Sequence, residues 1–559
     1  MKHRYLLRQL PAAAAWLLVV IGMPAASGDP TGTSYSPLDQ VDSQNAWRLQ
    51  RAWTWQDRDA AKPADTTRLT GLPATPILLP DAAGGGLVFC TSTSRMVSVD
   101  PVTGAERWRH DPKESRTRAA APLECRGVAY WHDSAAAGDQ QCAHRIFSSA
   151  GGRRLIAVDA ATGLPCGSFG EGGQVEVQSS AAPVIVNGVL VVGGRGFDAR
   201  TGQPRWQVDA ISGDSGPSSV DGKRDLVFVP HAGAVTAVRG ATGEMAWSFT
   251  TVERDEWNWG APAQPILVDI TKDRRSIPAA IVPTRQSLVF VLDRATGKPI
   301  FPVEARRVSD VDGTGGTPSA AQPFPLAPPP LLDTTLGPGD AWGLTFWDQK
   351  RCQQQIENAR HIGLYPPAGD TASIIYPGPA AGPGRASGAW DPTRNLFVMG
   401  LAQTGVLVER LAKGETVSRP LTGASGLPCT SPPWAKLVAV DIAAGGIRWS
   451  VPLGTTDRLA SLPVPPLKWG NTIVAGGPLV TAGGIVVIGA TGDSRLRAFA
   501  ADTGADVWTT VLPAPAYASP MTYERDGRQF IVIAAGYAGE FLVAHALPDN
   551  YVQSADKPD

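Results

Sequence analysis

The sequence predicts an all-β fold, an eight-bladed β-propeller, and three observations predict it. Seven times the chain writes a short hydrophobic strand, then Asp-x-x-Thr-Gly or a close variant, then an aromatic a few residues on. The motif positions recur at intervals of roughly 40 to 60 residues, the size of one four-stranded propeller blade. An eighth aromatic strand, Ala46-Trp-Arg-Leu-Gln-Arg-Ala-Trp53, lacks the Thr-Gly turn and brings the expected blade count to eight.

Each copy is a strand, a tight turn and a second strand that buries one large side chain. The copies are Asp100-Pro-Val-Thr-Gly104 with Trp108, Asp159-Ala-Ala-Thr-Gly163 with Phe169, and Asp198-Ala-Arg-Thr-Gly202 with Trp206. Arg239-Gly-Ala-Thr-Gly243 with Trp247 and Asp293-Arg-Ala-Thr-Gly297 with Phe301 follow. Asp441-Ile-Ala-Ala-Gly445 with Trp449 and Ala500-Ala-Asp-Thr-Gly504 with Trp508 complete the set. Gly suits a left-handed turn position, and Asp and Thr side chains bond to turn backbone. The motif is therefore read as architecture, with the Trp wedged between neighbouring blades.

From the N-terminus, Lys2, His3, Arg4 and Arg8 precede an apolar run from Leu10 to Met23, and Pro24-Ala-Ala-Ser-Gly28 offers small residues. Residues 1–28 read as an export signal, with a retained membrane anchor as the alternative. Residues 35–549 are expected to form a single propeller. The strand at Trp53 would complete the last blade beside strands near 519–547, leaving no open sheet edge. Val186-Asn-Gly-Val-Leu-Val-Val-Gly193 reads as part of a hairpin turning at Asn-Gly. The runs Gly483-Gly-Ile-Val-Val-Ile-Gly489 and Arg528-Gln-Phe-Ile-Val-Ile-Ala534 read as buried strands. The long interval between Asp293 and Asp441 holds Gln322-Pro-Phe-Pro-Leu-Ala-Pro-Pro-Pro330, expected as an extended loop inserted in one blade. Residues 550–559 are expected to be a flexible tail.

Composition is globular, with 43% hydrophobic and 18% charged residues, and a net charge of −1 argues against nucleic acid. The 7 His are scattered, and no Cys-x-x-Cys occurs, so neither a His-rich metal site nor a zinc or redox pair is indicated. An exported chain can pair its 6 Cys. Sequence alone leaves the connectivity open, with Cys125 and Cys142, flanking a short segment, as the first expectation.

The repeats and the segments around them resemble the quinoprotein dehydrogenases, propellers that use pyrroloquinoline quinone (PQQ), and within them the membrane-associated glucose and quinate dehydrogenase branch. The matching phrases include Cys125-Arg-Gly-Val-Ala-Tyr130, Asp255-Glu-Trp-Asn-Trp-Gly-Ala-Pro-Ala-Gln-Pro265 and Phe290-Val-Leu-Asp-Arg294. Trp342-Gly-Leu-Thr-Phe-Trp-Asp-Gln349, Gly426-Leu-Pro-Cys-Thr-Ser-Pro-Pro-Trp434 and Ser519-Pro-Met-Thr-Tyr523 extend the likeness toward Asp549. The resemblance implies a periplasmic enzyme that oxidises a sugar, polyol or other alcohol. It implies PQQ and Ca²⁺ as cofactors, a quinone or cytochrome electron acceptor, and possible peripheral membrane association.

Alcohol oxidation by PQQ needs a carboxylate for the hydroxyl proton, a hard cation on the quinone, and a positive group near the ring oxygens. The resemblance places Arg285 as that positive group, where the family has Lys or Arg. It places Asn258 where the family has the catalytic Asp that also touches the metal. Asn has the shape of Asp but neither its charge nor its basicity, so Asp255 is the candidate substitute. Trp257 and Trp434 are the candidate cofactor-facing aromatics. A pocket of Trp257, Trp259, Trp434 and Trp469, stacking a planar ligand or a sugar, is a further expectation. The stretches 192–198, 212–219 and 231–237 look trimmed where the family carries cofactor-facing loops. Two readings follow: a PQQ dehydrogenase with a remodelled pocket, and a cofactor-less propeller that serves as a binding or scaffold protein in the cell envelope.

Overall fold

The computed structural model describes residues 29–58, 75–91, 93–112, 125–136, 140–151, 153–179, 181–211, 216–255, 257, 259–260, 262–308, 321–360, 362–366, 372–379, 382, 387–410, 416–457, 459, 465–536 and 541–549. The expected export signal, residues 1–28, and the tail, residues 550–559, lie outside them.

Short runs of Val, Ile, Leu and Phe between Gly turns make strands. The second and third strands of each sheet are buried on both faces, as at Leu87–Cys90 and Met96–Val99. That double burial explains why these runs are continuous rather than alternating. Each such Val, Leu, Ile or Phe contributes about 1.5–3 kcal/mol by leaving water. Fourth strands such as Glu106–His110 carry the polar surface.

Eight antiparallel sheets follow one another among the described residues. They open with the strands Ile77–Leu78, Val128–His132, Val184–Val186, Ser219–Asp221, Ile266–Lys272, Ala389–Asp391, Leu479–Thr481 and Met521–Arg525. The eighth takes its fourth strand from the other end of the chain: Gln50–Gln56 pairs with Phe541–Ala546 in antiparallel register. The segment before it, Tyr35–Ser36, runs parallel to Leu479–Thr481 of the seventh sheet. Its neighbours take backbone bonds from opening strands of other sheets, with Pro30 accepting from Val220, Thr31 from Leu267 and Thr33 from Trp390.

The repeated motif follows the third strand of its sheet and packs against the sheet before it. Its Asp caps its own turn, as Asp100 Oδ1 accepts from the Thr103 N–H and hydroxyl. Its Gly is left-handed, with φ between 70° at Gly445 and 74° at Gly202. The aromatic of the preceding sheet lies on that Gly. A Cβ on Gly104 would stand 2.6 Å from Trp53, on Gly163 2.5 Å from Trp108, and on Gly243 2.7 Å from Trp206. The indole N–H then donates to the motif's second residue: Trp53 to Pro101, Trp108 to Ala160, Trp206 to Gly240, Trp247 to Arg294 and Trp449 to Ala501. Only a residue without a side chain admits the ring so close.

Trp508 of the seventh sheet meets no Thr-Gly turn, because the eighth sheet's last two strands come from opposite ends of the chain. It packs edge-on against His545 at 5.2 Å. His545 is buried, and burial first, then the charge of Arg51, push its imidazole down to about 4. An unfolded His titrates near 6.5. Between about pH 6.5 and 4 the unfolded chain therefore binds the extra proton, and stability falls as pH drops through that window by about 3 kcal/mol. His545→Leu is expected to flatten this slope. Urea midpoints at pH 7.5 and 4.5 measure it, and an unchanged slope in the variant would refute the assignment.

Two expectations are corrected. The disulfides are Cys90–Cys125, Cys142–Cys166 and Cys352–Cys429, so Cys125 and Cys142 are not partners. Their closeness in sequence misled: Cys125 precedes the strand Val128–His132 and meets Cys90 at the end of Leu87–Cys90 in the previous sheet. The long interval is also more than an extended loop. Val303–Arg307 pairs with Ala321–Pro325 in a two-stranded ribbon, where both strands are edges and Pro is tolerated. A helix, Phe346–Glu357, follows, with Thr345 capping the N–H of Asp348. A further sheet, with strands Ile362–Gly363, Ser373–Ile375, Val406–Arg410 and Thr416–Pro420, joins this interval to an insertion in the sixth sheet. No helix among the described residues is long and apolar enough to cross a membrane.

Candidate active site

An antiparallel four-stranded meander sends its first-to-second and third-to-fourth turns to one end. Its second-to-third turn and its link to the next sheet go to the other. The Thr-Gly motifs occupy the first end. Asp255 lies on the link from Met245–Thr250 to Ile266–Lys272, and Arg285 on the turn from Arg275–Pro283 to Val289–Asp293. Both therefore lie at the second end, as do the long interval and the sixth-sheet insertion.

The Asp255 carboxylate organises its own loop. Oδ1 accepts from the N–H groups of Trp257 at 3.2 Å and Trp259 at 2.9 Å, and Oδ2 accepts from Gly260 at 2.6 Å. Three backbone donors on one carboxylate fold the segment into a tight cradle. Gly260, at φ 65°, brings this loop to Arg285: a Cβ on it would stand 3.9 Å from Arg285 Nη1. Arg285 is half-buried and sits in a turn locked by Thr284, whose N–H and hydroxyl both donate to the Leu288 carbonyl. A Cβ on Gly382 would fall 2.3 Å from Arg285 Cα, so a third segment closes on the turn.

A fourth segment brings Tyr365. Its ring meets Trp257 edge-on at 5.1 Å, Trp259 at 6.3 Å and Phe324 at 5.9 Å. Trp257 donates its indole N–H to the Pro366 carbonyl and pins this segment to the Asp255 loop. Tyr365, Trp259 and Gln286 are all buried, yet Tyr365 Oη, Trp259 Nε1 and Gln286 Nε2 make no hydrogen bond of good geometry. Burial pushes the Tyr365 phenol well above its ordinary range. The Gln286 amide beside it pulls weakly back, and the Asp255 charge pushes further up. Buried donors whose bonds are poorly made are costly unless something satisfies them.

The structure brings Asp255, Trp257, Trp259 and Arg285 together. It does not bring Trp434 to them. Trp434 is fully buried, donates its indole N–H to Thr430 at 2.7 Å, and packs against Trp342 at 5.3 Å and Trp469 at 6.0 Å. Ring contacts thus sort the four tryptophans expected in one pocket into two groups. The Trp434 N–H bond to the Trp469 carbonyl fixes the second group to its own backbone. Trp434 leaves no open face on which a cofactor could stack. Asn258, the expected base and metal position, lies outside the described residues.

Gln286 and Tyr365 were not anticipated. Gln286 stands beside Arg285 in sequence, but nothing local says that its amide turns inward. Tyr365 comes from an interval 110 residues beyond Asp255. The apparent shortening of two stretches has a structural form: Val189–Val192 and Arg195–Asp198 are joined by Gly193 and Gly194 alone, and Leu226–His231 and Ala234–Arg239 by Ala232 and Gly233 alone.

The donor-rich lining tests which ligand fits. Buried N–H and O–H groups beside a guanidinium suit quinone carbonyls and carboxylates, which are acceptors.

Comparisons with known proteins identify the family. The family described as "PQQ: Glucose/ethanol/alcohol dehydrogenase, beta-propeller domain" matches residues 23–234 and 213–531. The chain is 30% identical to quinoprotein glucose dehydrogenase A of Acinetobacter calcoaceticus, over 94% of this chain and 79% of that one. It is 31% identical to the glycerol dehydrogenase large subunit of Gluconobacter oxydans, over 97% and 86%. Among solved structures it is similar in fold to the quinohemoprotein alcohol dehydrogenase of Comamonas testosteroni, at a TM-score of 0.65 and 18% identity, covering 96% of this chain and 82% of that one.

Proposed function

Because this chain belongs to the family of PQQ-dependent glucose, ethanol and alcohol dehydrogenase propellers, we propose that it binds PQQ beside Arg285 and oxidises a sugar, polyol or other alcohol. The observation that carries the reading is the set of three buried donors, Trp259 Nε1, Gln286 Nε2 and Tyr365 Oη, in the corner with Arg285. Bound PQQ would supply a two-electron acceptor. The donors and Arg285 would hold its acceptor oxygens and favour negative charge there. The Asp255 loop fixes Trp257 and Trp259 beside the corner.

The proton of the alcohol needs an acceptor. Asp255 Oδ1 already takes two backbone bonds, while Oδ2 takes one, so Oδ2 is the oxygen with capacity to accept it. Asn258 cannot serve as a base. Calcium is implied by family likeness alone. If proton removal limits turnover, Asn258→Asp is expected to raise dye-linked alcohol or sugar oxidation by about tenfold or more with PQQ supplied. An unchanged rate would place the limit elsewhere. Tyr365→Phe keeps the ring and removes one donor. It is expected to weaken PQQ binding about 3- to 10-fold, read by tryptophan quenching on titration.

On this reading the protein works in the periplasm, exported by residues 1–28, with a quinone or cytochrome receiving electrons. The pairing of all six cysteines supports an oxidising compartment. A second reading, a cofactor-less binding or scaffold propeller, is favoured by the three backbone bonds that occupy Asp255 and by Asn at 258. Titration with PQQ separates the two. Saturable quenching with turnover supports the dehydrogenase, and no quenching at micromolar PQQ supports the scaffold.

A further inference from the structure

The helix Phe346–Glu357 starts with three large apolar side chains in water. Leu344 is 37% exposed, Phe346 68% and Trp347 77%. The Phe346 and Trp347 rings touch edge to face at 5.6 Å and form one apolar knob. Exposed aromatics in contact, at the tip of an otherwise polar helix, are unusual on a surface that meets only water.

The knob is held rigidly. Asp348 is buried and accepts from the N–H and hydroxyl of Ser425. Cys352 bonds to Cys429, and the Trp342 N–H donates to the Cys429 carbonyl. A Cβ on Gly343 would stand 2.1 Å from the Gln349 nitrogen, so the approach to the helix is fixed as well. The aromatics therefore cannot fold back onto the body by a small loop movement.

Charge identifies what the knob meets. Lys350 and Arg351 are exposed directly after the aromatics. Asp348 is the only acid from residue 346 to 355, and it is turned inward. Aromatic side chains flanked by exposed cations match the boundary of an anionic bilayer, where rings sit at headgroup depth and Lys or Arg meets the phosphates. Position agrees. The helix belongs to the link between the fifth and sixth sheets, at the same end of the fold as Arg285.

We propose that Leu344, Phe346 and Trp347, with Lys350 and Arg351, form a docking patch for the surface of an anionic lipid bilayer, which turns the candidate site toward the membrane. The inference holds whether or not PQQ is bound.

The test uses the full chain with Gln354→Cys, an exposed helix position, labelled with an environment-sensitive fluorophore. All six native cysteines are paired, so the new thiol alone reacts. Vesicles of phosphatidylcholine with phosphatidylglycerol are expected to shift the emission to the blue and raise it severalfold. Phosphatidylcholine alone should do so weakly. Phe346→Ser with Trp347→Ser should abolish the shift, and Lys350→Glu with Arg351→Glu should cut vesicle affinity about tenfold. Circular dichroism confirms that each variant is folded. If the protein binds vesicles through its N-terminal run while the label at 354 stays unshifted, the proposal is overturned. A shift that needs no vesicles and grows with protein concentration would also overturn it, in favour of a second copy.

Discussion

Gly104→Ala is expected to destabilise the protein by about 2–5 kcal/mol, because the added methyl meets two penalties at once. The position is left-handed, at φ 71°, which costs a side-chain residue about 1–2 kcal/mol. Its Cβ would also lie 2.6 Å from Trp53 Cε3 and 2.8 Å from Cδ2, so the indole must move. Trp53 is 7% exposed, and its N–H is committed to Pro101, so it has nowhere to go without breaking that bond. The junction matters more than its one contact suggests. Trp53 comes from the N-terminal strand that completes the eighth sheet, and Gly104 belongs to the first, so this ring joins the ends of the circuit. Urea unfolding of Gly104→Ala in wild-type and Trp53→Leu backgrounds isolates the clash. With the smaller side chain the cost should fall toward the backbone strain alone. An equal cost in both backgrounds would show that the Gly is not there for the ring.

Arg285→Gln is expected to weaken PQQ binding by on the order of 100-fold, and dye-linked turnover by at least as much. The reason is local chemistry. Arg285 supplies the positive charge in a corner that also holds the neutral donors Trp259 Nε1, Gln286 Nε2 and Tyr365 Oη and the Asp255 carboxylate. A charge-assisted bond in a water-poor site is worth more than a neutral one. Gln keeps polarity and loses the charge. Lys restores the charge without the fork, so Arg285→Lys should recover part of the affinity. The measurement is PQQ titration by tryptophan quenching, alongside the assay. Equal PQQ affinity in wild type and Arg285→Gln would remove Arg285 from the cofactor and favour the scaffold reading.

Much of the architecture was legible because it is written locally. Asp100, Thr103 and Gly104 bond within five residues, and a buried strand such as Ile485–Ile488 announces itself by composition. The pairing of Gln50–Gln56 with the last strands was legible too, since a lone aromatic strand at one end needs a partner. The Pro-rich interval was legible only as an interruption. Its ribbon and helix depend on contacts with the sixth-sheet insertion, such as Asp348 with Ser425 and Cys352 with Cys429. The same limit applied to the cysteines, whose partners lie in neighbouring sheets or insertions rather than nearby in sequence.

By itself the sequence determined a repeating all-β body, the turns that space its sheets, and the family. Period, turn chemistry and motif spacing are properties of short segments, and short segments report them. Tertiary structure decided which side chains share a corner. It set Tyr365 and Gln286 against Trp259 and Arg285, enclosed Trp434 elsewhere, and committed Asp255 to its own backbone. Those outcomes depend on which loops converge at one end of the sheets, a distance set by the whole closed circuit and not by neighbours in the chain.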